Sequence, residues 1–413
     1  MPEGPLTGVT VLELGSLISG PFASRILGDF GARVIKVEPL GGDPLRQWGV
    51  PATQDSSYWS LVQSRNKDLV AINLYDPRGQ EIVRRLASHV DVVLENFRPG
   101  RLHEWGIGYD ELSTLYPSLI MVSVSGYGQT GPYRDLPGFG NIAESMGGLR
   151  AVTGFPDGPP VRVGVSLGDQ IASLYAVIGA LLALLRQRDG DGGDHVDVAL
   201  TEAVLSFMEG AVPEYVHAGV VPGRRGNVLG RAAPSGVYSC RDGIWVSIGA
   251  NGDSIFKRFA MAIGRSDWAE DPDLAMNRGR VARLTEIEAG IRGFTETHDS
   301  RDVVRILREA SVPVGPVYTI REIVEDPAFQ ARGMVTRVPS AELAADLAVP
   351  GVVPRLLRHP GGVDRPGGRI GRDTGRVLGG LLGMPDEEIH ALARAGVVRW
   401  PEAETGEAES KNG

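Results

Sequence analysis

The first 40 residues constrain the fold more than any other stretch, because their hydrophobic pattern switches period twice. "VTVLEL" (Val9 to Leu14) is a β run and "GSLISGP" a turn. "FASRILGDFG" is a helix closing at Gly31, and "RVIKVE" (Arg33 to Glu38) is a second β run. Alternation of this kind predicts a parallel sheet covered by helices. An acid closes the second strand, as in dinucleotide-binding folds. The turn from Gly15 to Gly20, however, lacks the G-x-G-x-x-G spacing that brings backbone up to a pyrophosphate. The expectation is an α/β, doubly wound domain without a nicotinamide cofactor.

The alternation continues downstream. In "DPRGQEIVRRLASH", Asp76 is the N-cap, Pro77 takes the first helical position, and Ile82, Val83 and Leu86 share one face. "VDVVLENF" and "LIMVSVSGYG" read as strands, the second leaving through a glycine turn, and "HVDVALTEAVLSFM" starts as a strand and becomes helical. The texture changes near Pro222, where "VPGRRGNVLGRAAPSG" is a Gly/Arg/Pro linker. Beyond it, "GVYSC" and "GIWVSIG" form a hairpin across Asp242-Gly243, and amphipathic helices follow to about Gly315. Short strands and two helices after Gly333 are expected to pack back on the first domain. The predicted organisation is a large domain over 1–222, a smaller α+β domain over 223–332, a return segment over 333–400 and a disordered tail over 401–413.

Composition narrows the partners. A net charge of -9 opposes nucleic acid or an anionic membrane surface. The longest unbroken apolar run, Ala176 to Leu185, is half of what a membrane span needs. Cys240 is the only cysteine, so no internal disulfide forms, which fits a cytoplasmic protein. "MPEGPLTG" has no basic and apolar pair of regions, so no secretion signal is expected. The 56 glycines point to many tight turns or close backbone approaches.

One carboxylate interrupts the most apolar stretch, "VGVSLGDQIASLYAVIGALLALL" (Val163 to Leu185). Asp169 reads as an N-cap, accepting backbone N–H bonds at the positive end of a helix. A nucleophile is compatible with that cap, since N–H donors keep a carboxylate ionised and Gly168 leaves room above it. None of the seven histidines has metal-ligand spacing with another or with the cysteine, so no metal is expected. His195 and Asp197 share a strand face and read as an ordinary polar edge. No G-x-S-x-G elbow supports a serine triad. "ENFRPGRL" (Glu95 to Leu102) ends a strand, where open α/β sheets bind ligands. Arg98 and Arg101 there are phosphate holders or a solvated basic patch. "IGANGD" (Ile248 to Asp253) is a backbone folded over a ligand or a plain β-to-helix turn.

Taken in order, "GVTVLELGSLISGPFASRILGDFGARVIKVE", "GGDPLRQWG", "NKDLVAINL", "VVLENFRPG", "VSVSGYGQTGP", "GVSLGDQIASLYA", "GVYSCRDGIWVSIG", "VPVGPV" and "RDTGRVLGGLLG" resemble the family III CoA-transferases over nearly the whole chain. The resemblance implies a Rossmann-like large domain built from both chain ends, a smaller domain from the middle, and two chains interlinked like rings in a homodimer. It implies that Asp169 is the nucleophile, acylated by an acyl-CoA thioester and then thioesterified by CoA. No permanently bound cofactor is implied; acyl-CoA and small carboxylic acids are the substrates.

For CoA, the resemblance points to Ile18 and Ser19 in the first turn, to Asn73, Leu74 and Tyr75, to Asn96, Phe97 and Arg98, and to Phe139 and Gly140. Arg101 stands in for an arginine that Glu104 replaces. Trp48 and Trp59 fall at the acyl pocket. Gly249, Ala250, Asn251 and Gly252 match a glycine-rich lid whose longer run is absent here. Ile18 stands where oxalate-active members tend to carry glutamine, which weighs against a small dianion.

Two other functions compete. The racemase branch of the same fold needs an acid and a base on opposite faces of an α-carbon, and its histidine position holds Phe139, which carries no proton. A non-catalytic acyl-CoA-binding protein is the second, opposed by the retained Asp169. The pattern is most like transferases that use succinyl-CoA and four- to six-carbon dicarboxylic acids. Arg46, Arg134 and Arg150 are then candidates for a distal carboxylate, with exposed surface arginine as the plain reading of each.

Overall fold

Thr10–Glu13 and Arg33–Glu38 lie side by side as parallel strands, Thr10 opposite Arg33 and Glu13 opposite Lys36. The computed structural model describes residues 3–401, so the expected tail falls outside the described residues except for Pro401. The helix between the two strands runs Ser19–Asp29, three residues earlier than expected. Pro21 caused the difference: a helix's first turn has no intrahelical partner for its amides, so proline is accepted there.

Six parallel strands follow the order Lys67–Ile72, Arg33–Glu38, Thr10–Glu13, Val92–Glu95, Ile120–Ser125 and His195–Ala199. Numbered along the chain, that order is 3-2-1-4-5-6, the doubly wound arrangement of dinucleotide folds. The strand Val398–Arg399 adds antiparallel to Lys67–Ile72, so the C-terminal segment completes the sheet. Helices cover both faces. The helices Ser19–Asp29 and Leu167–Arg188 pack on one, through Leu27, Ala172, Ala176 and Ala180. The helices Pro77–Ala87, Thr374–Leu382 and Asp386–Arg394 pack on the other, through Ile82, Leu86, Val377 and Ile389. Asp76 and Pro77 occupy the predicted cap and first positions.

The described residues divide into two compact units, one of residues 3–149, 164–209 and 331–401, the other of residues 150–163 and 210–330. The second unit thus begins ahead of the Pro222 linker and takes a short piece just before the Asp169 helix. Its three-stranded antiparallel sheet runs Val314–Pro316, Trp245–Gly249, Ser235–Ser239. Phe256, Phe259, Trp268, Ile287 and Leu307 form its core.

The Leu167–Arg188 helix has 22 residues and is long and apolar enough to cross a membrane by length and composition. Half of its most apolar window is buried inside the protein, which fits a core helix. Leu174, Ile178, Leu182 and Leu185 remain exposed along one stripe.

A buried ionic cluster underlies the C-terminal ends of the first strands. Glu13, Lys36 and Lys67 are at most 1% exposed. Lys36 Nζ lies 2.7 Å from Glu13 and 2.9 Å from Asp43, and Lys67 Nζ donates to Glu13 at 2.8 Å. Burial pushes the Glu13 carboxyl up, but the two ammonium groups outweigh it and hold it below the usual range.

Arg46 is not the surface arginine expected. It is 5% exposed and pairs with Glu38 at 2.7 Å, with further bonds to Ser56 Oγ and the Gly368 carbonyl at 2.8 Å. Its donors are committed to structure, which removes it as a substrate-carboxylate holder. Arg46→Ala strands Glu38 in the interior, and breaking a buried pair costs about 3–5 kcal/mol. Thermal denaturation of Arg46→Ala is expected to show that loss, with the KM of the folded fraction unchanged.

Candidate active site

In an open α/β sheet the ligand crevice lies beyond the C-terminal ends of the strands where the strand order reverses. Here that point falls between Thr10–Glu13 and Val92–Glu95. The loops leaving these strands are Gly15–Gly20 and Asn96–Arg98, and Asn96 joins them. Its Oδ1 accepts the Ser16 amide at 2.8 Å, and its Nδ2 donates to the Ser16 carbonyl at 2.9 Å and Ser19 Oγ at 3.0 Å. A side chain at Gly15 would meet Asn96 Oδ1 at 3.1 Å and the Gly20 Cα at 3.2 Å. Leu17, at φ 64, donates its amide to Asp43 Oδ1 at 3.0 Å. The turn is held from outside by Asn96 and Asp43. Ile18 and Ser19 are buried at its apex.

Asp169 reaches the same crevice. It is the third residue of its helix, and Ser166 is the N-cap, so the capping reading is corrected by three positions. The Leu167 amide turns back to the Val165 carbonyl, and the Gly168 amide donates to Glu144 Oε1 at 3.2 Å, so the backbone becomes helical before Asp169. Its side chain still lies in the first turn, where the helix dipole favours an anion. Ser173 Oγ donates to the carbonyls of Asp169, at 2.7 Å, and Ser19, at 2.8 Å, within range of both. This ties the Asp169 turn to the first turn.

Gly140 sits against the Asp169 carboxylate. A Cβ built there would lie 2.0 Å from Oδ2 and 2.5 Å from Cγ, distances no side chain tolerates. Phe139, just before it, is the N-cap of the Gly140–Met146 helix and is 63% exposed. The structure therefore brings Ile18, Ser19, Asn96, Gly140 and Asp169 into one neighbourhood.

The expected CoA stretches meet at an aromatic cluster. Tyr75 and Phe97 each pack edge-on against Trp105, with ring centroids 5.5 and 5.3 Å away. The sequence reading missed Trp105. The signal was present, since "RLHEWG" places it four residues after Arg101, one helical turn on. The Arg101 guanidinium lies 5.7 Å from the Trp105 ring centroid and pairs with exposed Glu104 at 2.7 Å. That surface pair is weak and leaves Arg101 available to a stronger anion. Arg98 is exposed. Asn73 Oδ1 accepts the Tyr75 amide at 3.1 Å and so shapes the strand-to-helix turn. The Leu74 side chain is buried in the core, which leaves only its backbone for a ligand.

Trp48 and Trp59 face one another with ring centroids 6.2 Å apart, and both are partly exposed. Arg134 is exposed beside Asp135. Gly249–Gly252 and Arg150 belong to the second unit. There, Ala250 is buried and donates its amide to the Pro234 carbonyl at 2.9 Å. Fully buried Arg280 donates to the Asn251 carbonyl at 2.7 Å. Gly252 is the N-cap of the Asp253–Ala262 helix. The stretch is a pinned turn, and Arg280, which pins it, was not singled out from the sequence.

The six-stranded parallel order, the crevice at its reversal and a carboxylate on a helix start fit an enzyme of the doubly wound class with its site at the sheet's switch point. The sequence pattern of CoA-transferase family III matches residues 6–374, and the chain belongs to that family. It is an enzyme that transfers CoA. The chain is 46% identical to succinyl-CoA–D-citramalate CoA-transferase of Chloroflexus aurantiacus, over 96% of this chain and 99% of that one. It is 34% identical to succinate–glutarate CoA-transferase of Agrobacterium fabrum, over 91% and 96% respectively. A crystal structure of a CAIB/BAIF family protein from Brucella suis matches with a TM-score of 0.80 at 31% identity, covering 92% of this chain and 100% of that one.

Proposed function

We propose that the enzyme moves CoA from succinyl-CoA to a second dicarboxylic acid, with Asp169 as the covalent relay. The observation that carries this reading is the Asp169 carboxylate lodged against Gly140 beside the Ser16–Ser19 turn. An Asp169 oxygen attacks the thioester carbonyl, the C–S bond breaks, and CoA leaves as a thiolate. The thiolate then attacks the aspartyl carbonyl of the mixed anhydride, the bond to the bridging oxygen breaks, and succinate departs. The acceptor carboxylate runs the same steps in reverse. Splitting the exchange this way keeps the thioester energy out of water. On this reading Asn73–Tyr75, Asn96–Arg98, Arg101, Ile18 and Ser19 carry the CoA chain.

Relatives named for succinyl-CoA with citramalate, malate and glutarate support the dicarboxylate class. The buried, apolar Ile18 offers no donor to a small dianion such as oxalate. Phe139 leaves a racemase without its second proton carrier. The test is direct. The enzyme is incubated with succinyl-CoA, quenched, and digested for mass spectrometry, with hydroxylamine in a parallel sample. A CoA adduct on Asp169, replaced by a hydroxamate with hydroxylamine, is expected. Rapid CoA exchange with no adduct and no hydroxamate overturns the relay. A panel of succinyl-, glutaryl-, acetyl- and formyl-CoA against malate, citramalate and oxalate tests the substrates; reaction with monocarboxylic donors alone overturns the dicarboxylate reading.

The active form is a homodimer of interlinked chains, in the cytoplasm. The exposed stripe Leu174, Ile178, Leu182 and Leu185 supports a second copy as its cover, since a lone helix face of that kind stays in contact with water otherwise. Cys240 is the only cysteine, so no internal disulfide is available, which fits a reducing compartment. Leu182→Glu is expected to convert the dimer to monomer or aggregate in light scattering; an unchanged dimer mass would exclude this face.

A further inference from the structure

The strand face under the Asn96–Arg98 loop is polar where its neighbours are apolar. Glu95 stands opposite Ser123 on the next strand, and Met121 stands opposite His195 on the one after. Glu95 and Ser123 are 4% and 2% exposed. Ser123 Oγ lies 2.9 Å from Nε2 of His195, and Ser123 is the register partner of Glu95, so its hydroxyl favours the ionised carboxylate beside it. Glu95 Oε2 accepts the Phe97 amide at 2.7 Å. Tyr109 stacks on the imidazole with ring centroids 4.7 Å apart. These groups line a cavity of about 280 Å³ on the sheet face away from the Leu167–Arg188 helix.

We propose that Glu95 is a positioning residue for CoA binding. Oriented by Ser123 and His195, its carboxylate holds the Phe97 amide, and the adjoining Asn96 holds the Ser16–Ser19 turn. The proposal rests on the reading that Asn96–Arg98 contacts CoA. Two arrangements of the chain exist. With Glu95 ionised, Nε2–H of His195 donates to Ser123 Oγ, whose hydroxyl donates to Glu95. One proton taken from solvent reverses it: Glu95 O–H donates to Ser123, whose hydroxyl donates to Nε2 of the other imidazole tautomer. Both need a neutral imidazole, and burial lowers the affinity of His195 for a second proton. The ionised form is the stronger acceptor for Phe97 N–H.

Other charges surround the carboxylate. His195 and Asp197 come from the strand His195–Ala199, His103 from Arg101–Glu104, and Asp110 and Glu111 from Tyr109–Leu115, with Arg98 and Arg134 from loops. Burial first, then the Asp197 charge, pushes the Glu95 carboxyl up to about 7, against the donors Ser123 and Phe97. The switch between arrangements therefore falls in the neutral range.

The test measures desulfo-CoA binding by calorimetry, and KM and kcat for succinyl-CoA, from about pH 6 to 9. Wild-type affinity is expected to rise several-fold with pH, and Glu95→Gln to flatten that rise. Comparing the two cancels titration of the ligand's own phosphates, which also ionise near pH 6. Glu95→Ala is expected to raise KM about tenfold, the cost of one charge-assisted hydrogen bond, with kcat within about twofold. Ser123→Ala leaves the carboxylate in place, removes a donor to its ionised form, and should move the pH midpoint upward. The proposal is overturned if Glu95→Gln keeps the wild-type pH profile and Ser123→Ala keeps its midpoint while Asn96→Ala raises KM. If Asn96→Ala also leaves KM unchanged, the CoA-contact reading fails and the proposal falls with it.

Discussion

Asp169→Asn and Asp169→Ala are expected to lose CoA transfer by about 10⁴-fold or more in kcat, as removal of a covalent nucleophile does. Binding of desulfo-CoA should change little, because the contacts ascribed to CoA come from other loops. The side chain is half-buried at a helix start, so neither substitution opens a large apolar cavity, and melting should stay near wild type. A folded variant that still transfers CoA at the wild-type rate would remove Asp169 from the chemistry.

Gly140→Ala is expected to disable the enzyme by a different route. The added methyl would occupy the space of the Asp169 carboxylate, 2.0 Å from Oδ2. The carboxylate must then move by more than an ångström. A displacement of that size at a reacting group costs about 10²-fold in rate. Alanine suits the first position of the Gly140–Met146 helix, so the fold should tolerate it. Circular dichroism and melting would show an intact protein, and kcat would fall while KM stays within a few-fold. Full activity would mean that the carboxylate works from another position.

Much of this site was legible in the chain because its parts are local. The period changes around Val9 to Glu38 gave the strand–helix–strand unit, and the end of "VVLENF" marked the loop at the sheet's reversal. What escaped depends on pairing between distant segments. Arg46 lies in a Gly/Pro-rich stretch that reads as surface, yet Glu38, the acid ending the second strand, draws it inside. Charges within the apolar runs "VTVLEL" and "RVIKVE" were a usable signal, since Glu13 and Lys36 prove to be register partners of opposite sign. The start of the Asp169 helix was displaced because Glu144, 24 positions upstream, takes the Gly168 amide. Residues 150–163 join the second unit with no local mark in the sequence.

The Gly15–Gly20 turn owes its shape to Asn96 and Asp43, neither of which belongs to it, and Asp43 is itself anchored to Lys36. Its apex is thus free to change side chain without altering its path. On the relay proposed above, exchanging Ile18 for a polar residue leaves the bonds from Asn96 and Asp43 in place, so acceptor preference can drift across descendants by single substitutions there while the proposed relay stays as it is.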